Sequence, residues 1–465
     1  MADRISNSVA ALDAAHHLHG FSDLSAVTEN SLSVIDRGEG VFVYDDGGNR
    51  YIDCTAGMFA TALGFSEKEL AEAAYRQMLR LPTYHTLFET TSPPAAALVD
   101  KIVEITPENI NRVFLLNSGS EANDTIVKLV WYRNNALGLP EKKKIISRRG
   151  SYHGNTVAAS SLTGMDRMQE GFDTSIDRFL KVDGPHMFRA MQDGDTEADY
   201  AARLLEQLET VILREGPDTV AAMFVDPVSA SGGMQISPEG YFQGLQEILK
   251  KHNILLVVDE VISGFGRTGN LFACETFGLK PDVMSMAKGL CSAYLPIAAI
   301  AMSEAFFDGV AAQASRVGMF RQAFTTSGHP TASAVALRNI ELIEERDLVG
   351  HVRRVAPLFQ SALCELETHE LVGNAHGIGL AGAVELVADK SDMRPFGAET
   401  LGALRLLMRR FGQRHGVIPR GMADIQTFAP PLIITEDEIA QMFAGFRRVL
   451  DDLAEHLDTT GARHV

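Results

Sequence analysis

The chain has 465 residues, a formal net charge of -18, and 46% hydrophobic and 22% charged side chains. That length is too great for one ordinary core, and the acidic balance argues against nucleic acid or an anionic membrane surface as partner. No apolar run approaches the roughly 20 residues that span a bilayer, the N-terminus lacks a basic-then-apolar leader, and Cys54, Cys274, Cys291 and Cys364 show no C-x-x-C spacing, so a cytoplasmic protein without disulfides or zinc is expected.

Residues 1 to about 35 read as helical and then irregular, and within them His16, His17 and His19 offer imidazoles without a further ligand set, so no metal site is expected. Residues 40–44 and 50–53 flank Asp45-Asp46-Gly47-Gly48-Asn49 as an antiparallel hairpin. From about 70 to about 335, apolar strands alternate with helical stretches such as 200–214 and 241–252, which predicts a mostly parallel sheet covered by helices. The spacing of Phe242, Leu245, Ile248 and Leu249 is that of a core-facing helix. The remainder, with a strand over 379–386 and helices over 398–412 and 436–454, reads as α+β.

Within the alternating region, 112–116 is a predicted strand, and Asn117-Ser118-Gly119-Ser120-Glu121-Ala122-Asn123 turns from it into a helix through Trp131. Glycine and serine at such a turn leave N–H groups uncovered at a helix N-terminus, where the dipole favours an anion such as phosphate. The same Ser-x-x-Glu spacing also serves as a plain capping box. After the next strand, 144–147, the run Gly150-Ser151-Tyr152-His153-Gly154 places an aromatic ring at another strand end, where it can stack on a flat ring or simply fill core.

Two further apolar runs end in chemistry. Ile254-Leu255-Leu256-Val257-Val258 precedes Asp259-Glu260, and Val283-Met284-Ser285-Met286-Ala287 precedes Lys288-Gly289. The carboxyl ends of buried parallel strands are where open α/β sheets place their sites, so a carboxylate and an amine are expected to face one crevice. That pairing suits pyridoxal phosphate: the lysine forms a Schiff base, and the aspartate keeps the pyridine nitrogen protonated. Gly264-Phe265-Gly266-Arg267-Thr268-Gly269 formally matches the dinucleotide fingerprint G-x-G-x-x-G. An NAD-dependent oxidoreductase is nonetheless a poor fit, because Asp259 to Ser263 intervene after the strand and the following strand end carries Lys288 instead of an acidic residue.

Taken with Ala287-Lys288-Gly289, Phe324-Thr325-Thr326-Ser327-Gly328-His329-Pro330 and the outlying segments Ala15-His16-His17-Leu18-His19 and Ala429-Pro430-Pro431-Leu432, these motifs resemble in order and separation the class III aminotransferases of the omega type. The resemblance implies a fold type I pyridoxal-phosphate enzyme of class α/β, with a large cofactor domain at 71–335 and a smaller α+β domain built from 1–70 and 336–465. It implies that Ser118, Gly119 and Ser120 line the phosphate cup, Tyr152 beside His153 stacks on the ring, Val261 packs on its other face, Asp259 pairs with the pyridine nitrogen, and Lys288 is the reacting amine. Phe324 and Thr325 would reach the phosphate of a second subunit, so the implied assembly is a homodimer with shared sites, or a tetramer of such dimers. Arg420 matches a mobile arginine that pairs with keto-acid carboxylates, its rival reading being a surface arginine beside Asp424. Phe59, where relatives often carry tryptophan, joins Phe88 and Tyr152 in an expected apolar substrate pocket. The implied reaction moves an amino group from an amine or omega-amino acid to pyruvate or a similar keto acid; an aminomutase of the glutamate-semialdehyde kind is the same-fold alternative. Departures from the family pattern are Asp226 for a usual glutamate, Gly20 for proline, and Ala293 where glycine is frequent.

Overall fold

Seven short apolar runs meet in one sheet in the computed structural model, which describes residues 8–463. In chain order they are β1 (Ile110–Leu116), β2 (Lys144–Arg148), β3 (Phe179–Val182), β4 (Val220–Val225), β5 (Leu255–Asp259), β6 (Val283–Met286) and β7 (Ala298–Ser303). Their spatial order is β1-β7-β6-β5-β4-β2-β3. All run parallel except β7, which is antiparallel to both neighbours. Helices cover both faces, so the central strands are buried throughout; β4 reads VAAMFV with every residue buried. The antiparallel β7 needs no crossover helix after β6, and the connection between them is instead segment 287–297, which opens with a 3-10 turn, Lys288–Leu290, that carries Lys288.

Four helices matter for the site. α1 (Gly119–Ala136) follows β1, α2 (Glu197–Glu215) and α3 (Tyr241–Lys251) precede β4 and β5, and α4 (Pro330–Glu345) packs Val335, Ala336, Ile340 and Ile343 into the large core. The expected domain boundaries at 70/71 and 335/336 therefore fall inside helices, the first within Lys68–Arg80 and the second within α4. Helix patterns carry no mark at a domain edge when the helix itself packs on the larger core. A second core gathers Phe359, Phe428, Phe443 and Phe446 with Val41 and Ile52 from the N-terminal hairpin. Strand Arg50–Asp53 pairs in parallel with Val417–Ile418, joining the two ends of the chain.

The hairpin itself forms as expected, Phe42–Asp45 against Arg50–Asp53. Before it, the expected helical start is helix Val9–His16, and the irregular stretch that follows leads into a strand, Ile35–Glu39, whose nearly fully exposed IDRGE gives no apolar alternation to read. The start of that N-terminal segment, 1–7, lies outside the described residues. Near the same end, His17 Nδ1 and His19 Nε2 approach Asp13 at 2.8 and 2.5 Å, so the fold adds a carboxylate to two of the three histidines, a further ligand that the sequence reading did not see. The C-terminal helix Glu436–Thr460 runs past the expected 454, opened by a Thr435/Glu438 capping box. Among the described residues, no helix is long and apolar enough to cross a membrane.

Candidate active site

The carboxyl ends of β1, β2, β4, β5 and β6 open into one cavity, walled on its outer side by Phe21, Met58, Phe59, Arg420 and Met422. β5 delivers Asp259, which pairs in register with Ser285 of β6, while Lys288 lies three residues beyond that pairing, so the two are carried to one cavity by different means. Asp259 is set by its strand. Lys288 is set by a turn in which it adopts a left-handed φ of 44°, a conformation that a residue with a β-carbon holds only under external constraint.

Asp259 is buried and accepts three hydrogen bonds. Oδ2 takes one from Asn123 Nδ2 at 2.7 Å and one from His153 Nδ1 at 2.9 Å, and Oδ1 takes the Val261 N–H at 3.1 Å. Asn123 Nδ2 also donates to the His153 carbonyl at 2.8 Å, locking the group together. His153 therefore supports the carboxylate from behind, its ring edge-on to Phe224. Asn123 escaped the sequence reading; its only signal was an amide on a mostly apolar buried face of α1 that also holds Thr125 and Asn134.

At the head of α1 the two readings of the turn divide by residue. Ser118 Oγ accepts the Glu121 N–H at 3.2 Å and is used as the helix cap, outside the cavity. Gly119 and Ser120 face the cavity at the N-terminus of an 18-residue helix, a position suited to a phosphate. A β-carbon at 119 would lie 3.1 Å from Val261 Cγ2, so glycine is what lets helix and valine close on the same space. Tyr152 and Val261 both line the cavity, and burial raises the Tyr152 phenol above its ordinary value, with the Asp259 charge adding to the effect and Arg420 opposing it.

Burial pushes the Lys288 amine down from 10.5 to about 7, against the pull of Asp259 and with the help of Arg420. Its Nζ lies 5.5 Å from the centre of the Phe59 ring. Below about pH 7 the amine is protonated and not nucleophilic; above it the amine is neutral. Capture of pyridoxal phosphate by the cofactor-free enzyme, followed by stopped-flow absorbance, should accelerate as pH rises through about 7 and then level off. A rise centred near the ordinary lysine value would show that burial does not act on this group.

Arg420 stands on strand Arg420–Met422, its guanidinium carbon 4.5 Å above the Phe59 ring and its Nη1 buried without a hydrogen-bond partner. The nearby carboxylates are spent elsewhere: Asp53 accepts the Thr55 and Gly57 N–H groups at 2.9 and 2.6 Å, and Asp424 faces Arg189 at 3.5 Å. Asp424 does not pair with Arg420, so the surface-pair reading of that arginine does not describe the fold. Asp226 lines the cavity and is held at 2.8 Å by the fully buried Arg148, which also reaches Ser237 and Ser229. Its shorter side chain is thus fixed by a partner from β2. Ala293 holds a φ of 58°, which shows why glycine suits that position, whereas nothing in the structure explains Gly20.

Besides the capping Ser118, three expected residues do not line this cavity. Phe88 is 74% exposed and does not join Phe59 and Tyr152 within the chain, because the loop bearing it runs out along the surface beside Tyr84. Phe324 and the exposed Thr325 also lie outside it. Conversely, Phe21, Met58, Met168, Ile262 and Met422 line the cavity and were missed, since they come from segments whose proximity only the fold creates.

A parallel sheet that brings a buried carboxylate, a neutral-leaning lysine, a phosphate-suited helix end and a stacking tyrosine to one crevice defines an enzyme of the fold type I pyridoxal-phosphate class. Residues 24–450 match the family model of aminotransferase class-III. A rice protein (Oryza sativa subsp. indica) described as a probable mitochondrial gamma-aminobutyrate transaminase 3 is 42% identical over 429 residues, 91% of this chain and 83% of that protein. The crystal structure of the omega transaminase from Pseudomonas jessenii in complex with PMP superposes with a TM-score of 0.94 at 44% identity, covering 97% of this chain and 99% of the other. A thermostable omega transaminase variant engineered for asymmetric synthesis of enantiopure bulky amines matches equally well, with a TM-score of 0.94, 44% identity, and 97% and 100% coverage. The chain belongs to the class III aminotransferases, and it is a transaminase that uses pyridoxal phosphate.

Proposed function

We propose that this chain is an omega-type aminotransferase that moves an amino group from an amine or omega-amino acid to pyruvate or a similar keto acid by a ping-pong mechanism. The observation that carries this reading is Arg420, a half-buried guanidinium whose buried Nη1 has no hydrogen-bond partner and which lies over Phe59 at the outer wall of the cavity. Such a group accepts a carboxylate bidentately, while the Phe59, Met58 and Met422 surface around it receives an apolar amine. The relatives lend support from both sides, one being described by gamma-aminobutyrate and another by bulky amines.

Bound pyridoxal phosphate supplies an electron-accepting ring that acidifies the amine-bearing carbon. In the proposed arrangement the N–H groups of Gly119 and Ser120 hold its phosphate, Tyr152 and Val261 enclose its ring, and Asp259 keeps the ring nitrogen protonated. His153 and Asn123 hold Asp259 in place. Lys288 would hold the aldehyde carbon, and its amine, which burial favours in the neutral form, would take the proton from the substrate carbon. The cavity walls would orient the substrate and so select which of its bonds breaks.

Replacing Arg420 with alanine should raise the apparent Michaelis constant for pyruvate and omega-amino acids, while a neutral aryl amine is little affected. Loss of a bidentate charged contact costs on the order of 2 to 3 kcal/mol for carboxylated partners. Single-turnover absorbance on each half-reaction separates donor from acceptor. Equal losses for both substrate types would make Arg420 a supporting residue, and no loss would reject the clamp. Incubation with an amine alone, then with amine plus pyruvate, distinguishes this reading from an aminomutase, which needs no acceptor.

We further propose a homodimer with shared sites, or a pair of such dimers. Tyr75 and Leu79 on helix Lys68–Arg80, and Tyr84 and Phe88 in the loop that follows it, are all exposed, which supports burial of this segment against a second copy. Phe88 and Thr325 would then serve the partner's cavity. Thr325→Ala should weaken cofactor retention by roughly 1.5 to 3 kcal/mol, the range for a hydrogen bond to a charged group. In mixed dimers, Lys288→Ala chains with an intact Thr325 should restore retention to partners lacking it; failure to do so would reject the shared site. A cytoplasmic location and a division of the chain into N-terminal, central and C-terminal parts complete the proposal, with the divisions shifted to the ends of Lys68–Arg80 and α4. Cell fractionation tests the location, and the mitochondrial description of the rice relative marks the competing outcome.

A further inference from the structure

Lys288 reaches the cavity from a turn that is left-handed at three places, with φ of 44° at Lys288, 48° at Ser292 and 58° at Ala293. Backbone of this kind persists only where its surroundings over-determine it. The turn's own hydrogen bonds are few: Leu290 N–H to the Ala287 carbonyl at 2.9 Å, the Cys291 and Ala293 N–H groups to the Lys288 carbonyl at 3.1 and 3.3 Å, and Tyr294 N–H to the Cys291 carbonyl at 3.1 Å. The carbonyls of Gly289 and Leu290 are satisfied from another element. Asn339, fully buried in the middle of α4, donates from its Nδ2 to Gly289 O at 2.8 Å and to Leu290 O at 3.1 Å. Its Oδ1 accepts the Ser292 hydroxyl at 2.6 Å, and Ser292 Oγ accepts the Leu63 N–H at 3.0 Å, four residues past Phe59. Two carbonyls on one side and a hydroxyl on the other fix the amide's orientation.

We propose that Asn339 is the positioning residue for Lys288: its side chain clamps both carbonyls that follow the lysine, holding the strained turn that aims the amine into the cavity, and through Ser292 it ties that turn to the segment bearing Phe59. Asn339 touches no substrate. Its effect reaches the reaction through the placement of Lys288 Nζ, and the proposal rests on Lys288 being the reacting amine.

The two claims fail separately. Borohydride reduction of the wild-type holoenzyme followed by peptide mapping should place the cofactor on Lys288; a label on another lysine would overturn the reading on which the proposal rests. Asn339→Ala is then compared with Ser292→Ala, which loses the hydroxyl's bonds to Asn339 Oδ1 and from the Leu63 N–H and leaves the two Nδ2 bonds to the carbonyls available. At saturating amine, Asn339→Ala should slow the single-turnover half-reaction by about 10- to 100-fold, the scale of an ångström-level misplacement, with the donor's apparent dissociation constant nearly unchanged. It should slow capture of pyridoxal phosphate by the cofactor-free enzyme to a similar degree, whereas Ser292→Ala should leave both rates within about two-fold of wild type at a comparable loss of melting temperature. If both variants melt lower while Asn339→Ala keeps normal rates, or if Ser292→Ala slows them equally, Asn339 is only a structural amide and the proposal falls. Asn339→Ser, which keeps a short polar group and admits a water, is read by the same criteria should the alanine variant not accumulate as folded protein.

Discussion

Lys288→Ala should abolish turnover and the borohydride-trapped cofactor adduct together, a fall of at least about 10³ in rate, since one substitution removes both the covalent anchor and a general base worth 10²–10⁴ by itself. Measurement pairs steady-state rates with mapping of the reduced adduct. The strongest rival for that adduct is Lys181, whose amine burial also pushes down to about 7. Its protons are already committed: Nζ donates to Ser147 Oγ at 2.7 Å and to the carbonyls of Ser161 and Leu162 at 2.6 and 2.7 Å. Lys288 Nζ by contrast faces the cavity and the Phe59 ring. An adduct that survives Lys288→Ala would reject the assignment, and its location would name the true amine.

Asp259→Asn should retain cofactor yet lose roughly 10²–10³ in rate, the cost of removing one preorganised group aimed at developing charge. The amide is nearly the same size as the carboxylate, so the fold is expected to survive. Its neutral charge cannot keep a pyridine nitrogen protonated, and its NH2 cannot accept the hydrogen bonds that Asn123 and His153 now give to Oδ2. Either the amide turns its oxygen toward them, presenting a donor elsewhere, or His153 exchanges the proton between its ring nitrogens. The pH dependence of the bound cofactor's absorbance should therefore change with the rate. Near-normal turnover would refute the electron-sink role of Asp259.

Several parts of the site were legible because they depend on strand ends. Val220–Val225 and Leu255–Asp259 are apolar because helices cover both faces of the sheet, and the residue that ends such a run must meet the crevice. Asp259, Tyr152 and Lys288 were readable on that ground, as was the helix end at Gly119. Asn123 was hidden because a single amide in a helix has no periodic signature. Ser118 fits either a cap or a phosphate cup in sequence, and only its bond to the Glu121 N–H assigns it to the cap.

Short-range patterns of apolar and polar residues made the alternation of strands and helices legible, and the ordered motifs pointed to the class of chemistry and to Asp259 and Lys288 as its central pair. The tertiary structure decided the rest. It turned β7 antiparallel, left Arg420 unpaired above Phe59, fixed Asp226 on Arg148, sent Phe88 outward and brought Asn339 beneath the Lys288 turn. Each of these joins segments far apart in the chain, where the deciding quantity is which buried polar group finds which partner, and no local pattern encodes that choice.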